Sequence, residues 1–372
     1  MLSPSSGGSP FDRRSPGLRA TAGLFRVRVA FRRCNTGETV DRYDITIMEY
    51  KSITHNRFFR FVVGRLAFTA VTAIFVAVVV FFAIRLIPGD PALLILGLDS
   101  SPEEREELRG VMGLDRPLIL QFVDWGVRVL GGDLGYAYSQ SRDVLDVVGP
   151  ALTNTLLLGG AASLIAVVIG VVMGNLATSR SRALRRITDW FEAIFLSAPQ
   201  YTVALILLIA FAVLVPVFPA GGLSSRGSDG PGALALHLAL PAISLALAPG
   251  AQMARSLKTS ISTLQSTELL PALEARGLSS WRLAVHSHHN ALPPMITVLG
   301  IQVGGMLGGA LFVEQIFSIP GLGALIVQSV NLRDYQLVQG VAFVIAIIFV
   351  LVLLAADVIN ALLDPRIRVG KV

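Results

Sequence analysis

The chain has 372 residues, 53% of them hydrophobic and only 15% charged, with a mean hydropathy of +0.66; water-soluble domains run at about one quarter charged. That composition belongs to the membrane class, and the lone cysteine, Cys34, excludes an internal disulfide framework and a cysteine-clustered metal site. The net charge of +6 comes from arginines in short clusters beside apolar segments, the pattern of topology charges and not of a nucleic-acid-binding face.

Residues 1–57 read as an N-terminal cytoplasmic extension. Ser, Gly and Pro open it, and residues 1–47 hold eight arginines against four acids. It lacks an uncharged run of signal-peptide length. Three readings stay open: a disordered tail, an organellar transit peptide, or upstream sequence translated ahead of a start at Met48.

Six apolar stretches long enough to cross a bilayer follow. They run from Leu66 to Ile84, Ala151 to Ala177, Ala193 to Val217, Ala233 to Ala254, Ala291 to Val313 and Gln336 to Ala356. Hydrocarbon offers no partners to backbone groups, so each is expected to be helical. Basic residues crowd the flank before the first span (Lys51, Arg57, Arg60, Arg65), the connection after the second (Arg180, Arg182, Arg185, Arg186), the one after the fourth (Arg255, Lys258, Arg276, Arg282) and the tail (Arg366, Arg368, Lys371). The third-to-fourth and fifth-to-sixth connections carry one each, Arg226 and Arg333. The basic side is cytoplasmic, which places both termini there. By parity, residues 85–149 lie outside. Within them Ser101 and Pro102 can start a helix whose Glu103, Glu104, Glu106 and Glu107 suit its positive end, and a second amphipathic stretch runs from Leu118 to Leu130.

ATP hydrolysis needs a glycine-rich phosphate cradle followed by Lys and Ser or Thr. None of the three lysines, Lys51, Lys258 and Lys371, stands in such a setting. The chain lacks the G-x-S-x-G of a hydrolase, and the one span histidine, His237, reads as an interfacial or packing residue. His286, His288 and His289 form a dense cluster in a basic loop without nearby cysteine, a solvated or partner-contacting face before a metal site. The spans are nearly free of acids and bases, Glu314 at the outer end of the fifth being the clear exception. Ion-coupled carriers place such groups at membrane depth, so the sequence disfavours a secondary carrier that runs without ATP. Gly170 with Gly174, Gly304 with Gly308 and Gly305 with Gly309 have the small-xxx-small spacing of close helix packing, within the bundle or against a second subunit.

Short stretches in a fixed order carry a more specific signal. They are Leu86-Ile87-Pro88-Gly89-Asp90-Pro91, Gly113-Leu114-Asp115-Arg116-Pro117-Leu118, Gly132-Asp133-Leu134-Gly135, Ser197-Ala198-Pro199, Leu240-Pro241-Ala242, Pro320-Gly321-Leu322-Gly323, Arg333-Asp334-Tyr335, Val338-Gln339-Gly340 and Leu362-Leu363-Asp364-Pro365-Arg366-Ile367-Arg368. Over residues 58–368 the chain resembles the first permease subunit of the dipeptide, oligopeptide, nickel and glutathione ABC importers. The resemblance implies an all-α polytopic fold, six transmembrane helices of the type I importer permease with an external loop domain between helices 1 and 2.

It also implies an ATPase-coupling loop at residues 255–290. Glu268, Ala272, Ala275, Arg276, Gly277 and Leu278 match the first half of the family's docking motif, and His286, Asn290, Ala291, Leu292 and Pro294 the second. In physical terms this is a helix, a glycine break and another helix. Leu269 stands where an aromatic is usual, Ser287, His288 and His289 replace a more apolar and arginine-bearing run, and Pro271 is expected to interrupt the first helix. The partners implied are a second homologous permease, two ATPase subunits that hold the ATP and Mg, and an extracytoplasmic binding protein. This chain itself carries no cofactor and no enzymatic activity in that scheme. It would be a multi-pass protein of the bacterial inner membrane, with a peptide as the expected solute and nickel, glutathione or another small solute as alternatives. Asn154, Thr155, Gln200, Tyr201 and Gln302 are polar candidates for the pathway lining.

Overall fold

The computed structural model describes residues 24–29, 43–48, 50–86, 90–97, 100–223, 230–267 and 269–363. The chain divides into two units, Met1–Phe61 and Val62–Val372. In the first, strands β1 (Leu24–Val29) and β2 (Tyr43–Met48) pair antiparallel, Leu24 opposite Met48 and Val29 opposite Tyr43. Both are rich in β-branched and aromatic residues, the types that favour strands. The pair lies within the expected extension over 1–57, and helix α1 (Tyr50–Arg85) starts before Phe58.

The second unit is a helical bundle. The apolar part of α1, Val63–Arg85, leads to three short helices, α2 (Pro91–Leu96), α3 (Pro102–Met112) and α4 (Leu118–Leu130). A two-stranded pair follows, β3 (Tyr136–Ala137) with β4 (Arg142–Asp143). The long helices are α5 (Val144–Ala177), α8 (Pro231–Ser266), α10 (Ser280–Ile316) and α12 (Tyr335–Leu363). Between them lie α6 (Arg182–Ser197), α7 (Gln200–Leu208), α9 (Leu269–Ala275) and α11 (Leu322–Asn331).

The expected helix starts are made as the sequence suggests. Ser101 accepts from the Glu104 N–H at 3.2 Å while the Glu104 carboxylate accepts from the Ser101 N–H at 2.9 Å, a capping box that satisfies two donors at once. These bonds hold the Glu104 carboxyl below the usual carboxylate range. Helix α4 has the bounds expected of the amphipathic stretch, Leu118–Leu130.

Among the described residues, five helices are long and apolar enough to cross a membrane. The third expected span, 193–217, is corrected: it is not one helix. Its first residues belong to the amphipathic α6, the chain bends by 107° at Ala198-Pro199, and only Gln200–Leu214 runs on, the last six residues as a π-helical segment. Pro199 lacks an N–H and pushes Ala198 to extended backbone, ψ 129. The remaining 15 residues rise about 22 Å, short of a bilayer's hydrocarbon core of about 30 Å. Counting the bent pair as one span gives six.

The core forms between α5, α8 and α10, around Leu158, Ala162, Leu245, Met253 and Met306. In lipid, close packing replaces the hydrophobic effect as the force between helices, and the glycines show where it acts. A Cβ on Gly170 would lie 2.5 Å from that of Met253, on Gly174 2.8 Å from Leu257 Cβ, and on Gly250 2.8 Å from Ile169 Cγ2. On α10, Gly304 lies against the Phe349 ring and Gly300 against Ala356 of α12. These glycines serve the chain's own bundle. Gly308 meets nothing within 4 Å and Gly305 only its own helix's Gln302.

Polar ties brace the periphery. Lys258 Nζ is 2.7 Å from Asp189 Oδ1 and Arg255 Nε 3.7 Å from Glu192 Oε2, joining α8 to α6. Arg65 pairs with Asp357 at 3.1 Å and Asn360 donates to Thr297 at 2.9 Å. His237 has the packing role expected of it: it is buried, with Nδ1 at 3.2 Å from the carbonyls of Gly221 and Gly222.

Gly170→Val is expected to cost about 1–3 kcal/mol through overpacking against Met253, read as a lower melting temperature of the purified protein in detergent. Gly160→Val, where a Cβ meets nothing within 4 Å, is expected to leave it unchanged.

Candidate functional site

The Pro320-Gly321-Leu322-Gly323 stretch starts α11, and a helix start leaves four N–H groups without intrahelical partners. Here other helices supply them. Glu314 Oε2 on α10 accepts from Gly323 N at 2.8 Å and Ala324 N at 3.0 Å. Thr155 Oγ1 on α5 accepts from Leu322 N at 2.8 Å and donates to Glu314 Oε1 at 2.7 Å. Asn154 Nδ2 completes the junction by donating to the Pro320 carbonyl at 2.8 Å. Glu314 is 0% exposed and Thr155 3%.

An anionic group at a helix N-terminus is favoured by both the free N–H groups and the helix dipole. Close approach explains the glycines. A Cβ on Gly321 would collide with the Glu314 carboxyl, and one on Gly323 with the Leu311 backbone. Glu314, expected only as an exception among bare spans, is thus a clamp joining three helices. The signal in the sequence was an acid seven residues ahead of a Gly-x-Gly helix start.

Three further motifs meet at the start of α12. Asp334, 1% exposed, caps it by accepting from Leu337 N at 3.1 Å, and its other oxygen accepts from Ser139 N at 2.9 Å. Gln336 Oε1 accepts from Tyr136 N at 2.8 Å. Gly135, with φ +100, comes so near that a Cβ would lie 2.7 Å from that same oxygen, and a Cβ on Gly340 would lie 2.5 Å from Val144 Cγ1. Gly132-Asp133-Leu134-Gly135, Arg333-Asp334-Tyr335 and Val338-Gln339-Gly340 are therefore one construction, fixing the segment before α5 onto α12.

The connection between α8 and α10 has the form expected of a coupling knob. Helix α9 ends at Ala275, Gly277 adopts left-handed φ +81, and Ser279 stands at the N-cap of α10. Gly277 N donates to Glu274 O at 2.9 Å and Leu278 N to Leu273 O at 3.3 Å, the closure of a helix end that glycine makes without Cβ strain. Pro271 does not interrupt α9: it falls in the first turn, where a missing N–H costs no intrahelical bond. Ala272, Ala275, Arg276 and Gly277 are exposed, Leu278 is half-buried, and Leu269, Trp281 and Val285 add exposed apolar surface. Glu268 lies outside the described residues.

The histidine cluster divides. His286 and His289 are exposed, whereas His288 sits between Ala284 O at 2.7 Å and Asn175 Oδ1 at 2.8 Å, tying α10 to the end of α5. Asn290 Nδ2 donates to His286 O within the helix.

The five pathway candidates also separate. Thr155 and Asn154 are spent on the Glu314 junction, so Thr155, buried with its hydroxyl doubly bonded, lines no open surface here. Gln200 and Tyr201 meet α10: the Gln200 amide lies against Gly309, and the Tyr201 ring centroid is 6.1 Å from that of Phe312. Ile301, Gly305, Gly308 and Phe312 are exposed along one face of α10, with Gln302 half-buried beside it.

Glu314→Ala leaves two buried N–H groups unpaired, each worth about 1–3 kcal/mol. The expected loss is about 3 kcal/mol of stability by thermal melting in detergent. Glu314→Gln, whose amide oxygen still accepts from both, is expected to lose less than half of that.

Two family profiles cover most of the chain. Residues 166–369 match the binding-protein-dependent transport system inner membrane component, and residues 58–159 the N-terminal part of such membrane components. A probable peptide ABC transporter permease of Sinorhizobium fredii is 33% identical over 310 residues, 83% of this chain and 99% of that one. The glutathione transport system permease of Escherichia coli O6:H1 is also 33% identical, over 83% of this chain and 98% of its own length. Among solved structures, the MetNI methionine ABC transporter in an inward facing conformation matches with a TM-score of 0.46 and 18% identity, over 59% of this chain and 96% of the matched chain. The chain belongs to the inner-membrane components of binding-protein-dependent transport systems, as a multi-pass, non-catalytic permease subunit of an ABC importer whose ATP is hydrolysed on partner subunits.

Proposed function

We propose that this permease forms half of the pathway for di- or oligopeptides, paired with a second homologous permease and supplied by an extracytoplasmic binding protein. The observation that carries the mechanism is the exposed helix, left-handed glycine and helix between α8 and α10. Two ATPase subunits would seat on it, contacting residues from Glu268 through Leu278 and on to His286 and Asn290. Closure of the ATPases on ATP would move the knob as a body, and α8 and α10, continuous with it, would carry that motion into the bundle.

The basic flanks support an orientation with both termini and the knob on the cytoplasmic side. On that orientation residues 85–149 would form an external loop domain that meets the binding protein or covers the pathway. The exposed face of α10 bearing Gly305 and Gly308 supports a seat for the second permease or the moving solute, with Gln200, Tyr201 and Gln302 beside it.

A peptide solute is supported by the Sinorhizobium relative, named as a probable peptide transporter. Glutathione, itself a peptide derivative, is the second reading, because the E. coli relative is equally identical. In proteoliposomes holding the whole importer, ATP-dependent uptake of a labelled dipeptide is expected to outcompete that of glutathione. Uptake that persists without the ATPases would refute the importer mechanism. Gly277→Val, which forces a β-branched residue into a left-handed conformation and costs about 1–2 kcal/mol locally, is expected to lower ATPase capture at least 10-fold with the bundle still folded.

A further inference from the structure

A cavity of about 1040 Å³ opens between α3, α4, the β3 region and the start of α12. It is as large as ordinary small-molecule sites, which reach about 1000 Å³. Its charges are not balanced. Arg109 and Arg116 on its wall are matched by Asp90 and Asp124, each pair at 2.8 Å. Arg85 and Arg128 have no carboxylate partner among the described residues, against Asp115 as the one lining acid left over.

Arg85 is held in place by neutral groups. Its Nε and Nη2 donate to Gln121 Oε1 at 3.1 Å, and its Nη1 to Gln339 Oε1 at 3.2 Å and to Phe81 O at 3.4 Å, with the guanidinium 3.5 Å over the Phe81 ring. Four of its five N–H groups are thereby used, and the positive charge meets only amide oxygens. Gln121 and Gln339 are buried, and Gln121 is itself anchored by donating to Leu114 O and Arg116 O at 3.2 and 2.8 Å. A guanidinium so held, with an N–H to spare, is a preformed donor site for an anionic acceptor.

Two more groups on the same wall are unfinished. Trp125 Nε1 and Tyr335 Oη are buried without a hydrogen-bond partner. An unmet buried donor costs about 1–3 kcal/mol. The indole can only donate, and the rings of Phe81, Phe122 and Phe343 pack around it at 5.9, 6.1 and 5.5 Å between centroids. The wall thus combines an apolar aromatic surface with donors and an uncompensated positive charge. A carboxylate oxygen can accept from the one N–H that Arg85 has left and set its charge against the guanidinium.

We propose that this cavity binds a small carboxylate-bearing solute, with Arg85 facing the carboxylate and Trp125 and Tyr335 supplying the flanking donors. The proposal rests on the orientation given above only for its meaning in transport, where it would hold a solute on the outer side before the pathway. Binding itself is independent of orientation and of which solute is carried, so the two readings fail separately.

The test uses the full chain in detergent micelles with the exposed Trp190 and Trp281 changed to Phe, which leaves Trp125 as the emitter. Acetate, dialanine, dialanine amide and inorganic phosphate are titrated. Dialanine is expected to shift Trp125 emission saturably, and its amide, lacking the carboxylate, to bind at least 10-fold more weakly. Arg85→Gln is expected to weaken dialanine at least 10-fold, and Tyr335→Phe, which removes one oxygen and spares the fold if Arg85→Gln does not, several-fold. Absence of saturable binding by acetate and dialanine, equal affinity for acid and amide, tighter binding of phosphate, or unchanged affinity in Tyr335→Phe would each overturn the proposal.

Discussion

The bundle depends on one carboxyl group buried where three helices meet. Among the described residues Glu314 has no basic partner; backbone N–H groups at the start of α11 and the Thr155 hydroxyl stand in for water. Such a group is stable only if every bond is made. That demand fixes the position of α11 against α10 and α5, and it forbids side chains at Gly321 and Gly323. Gly221 and Gly222 then pack on Phe317, and His237 on those two residues, so the end of α10 also orders the loop that precedes α8.

The same logic recurs at the start of α12. Asp334 serves two backbone partners on separate segments, one in its own helix and one next to β3. Polar side chains spent on backbone groups hold the helix ends, and small residues let the helix bodies touch. Gly170, Gly174 and Gly250 bring α5 against α8, and Gly300 and Gly304 bring α10 against α12. The part between these anchors is left with its polar groups inward of two short helices and its aromatic residues against α1 and α12, where Phe81, Trp125 and Phe343 cluster.

Different regions were legible to different degrees. Apolar length alone located five of the spans, and the bounds of α4 could be read because its amphipathic stretch begins after Pro117 and ends before Gly131. The helix, left-handed Gly277 and helix after α8 were legible too, since a glycine between two helix-forming runs has few other conformations to serve. The third span was misread because hydropathy is blind to a single Ala198-Pro199 step. Among the polar residues named for the pathway, polarity marks Asn154 and Thr155 as unusual in a span, but what such a group meets is a matter of partners far away in sequence, Pro320 and Glu314 among them.

The sequence by itself determined that the chain lives in a membrane, where five of its apolar helices lie, and to which family its ordered motifs belong, because these follow from the cost of burying charge and backbone in hydrocarbon and from local turn chemistry. The tertiary structure decided what the motifs are for. Glycines of identical spacing divided into those pressed against α8 or α12 and those, Gly305 and Gly308, left facing outward. An apparently isolated glutamate became the clamp of three helices. Close approach and hydrogen-bond completion are relations between segments as many as 254 residues apart, Arg85 and Gln339 for one, and no window along the chain contains them.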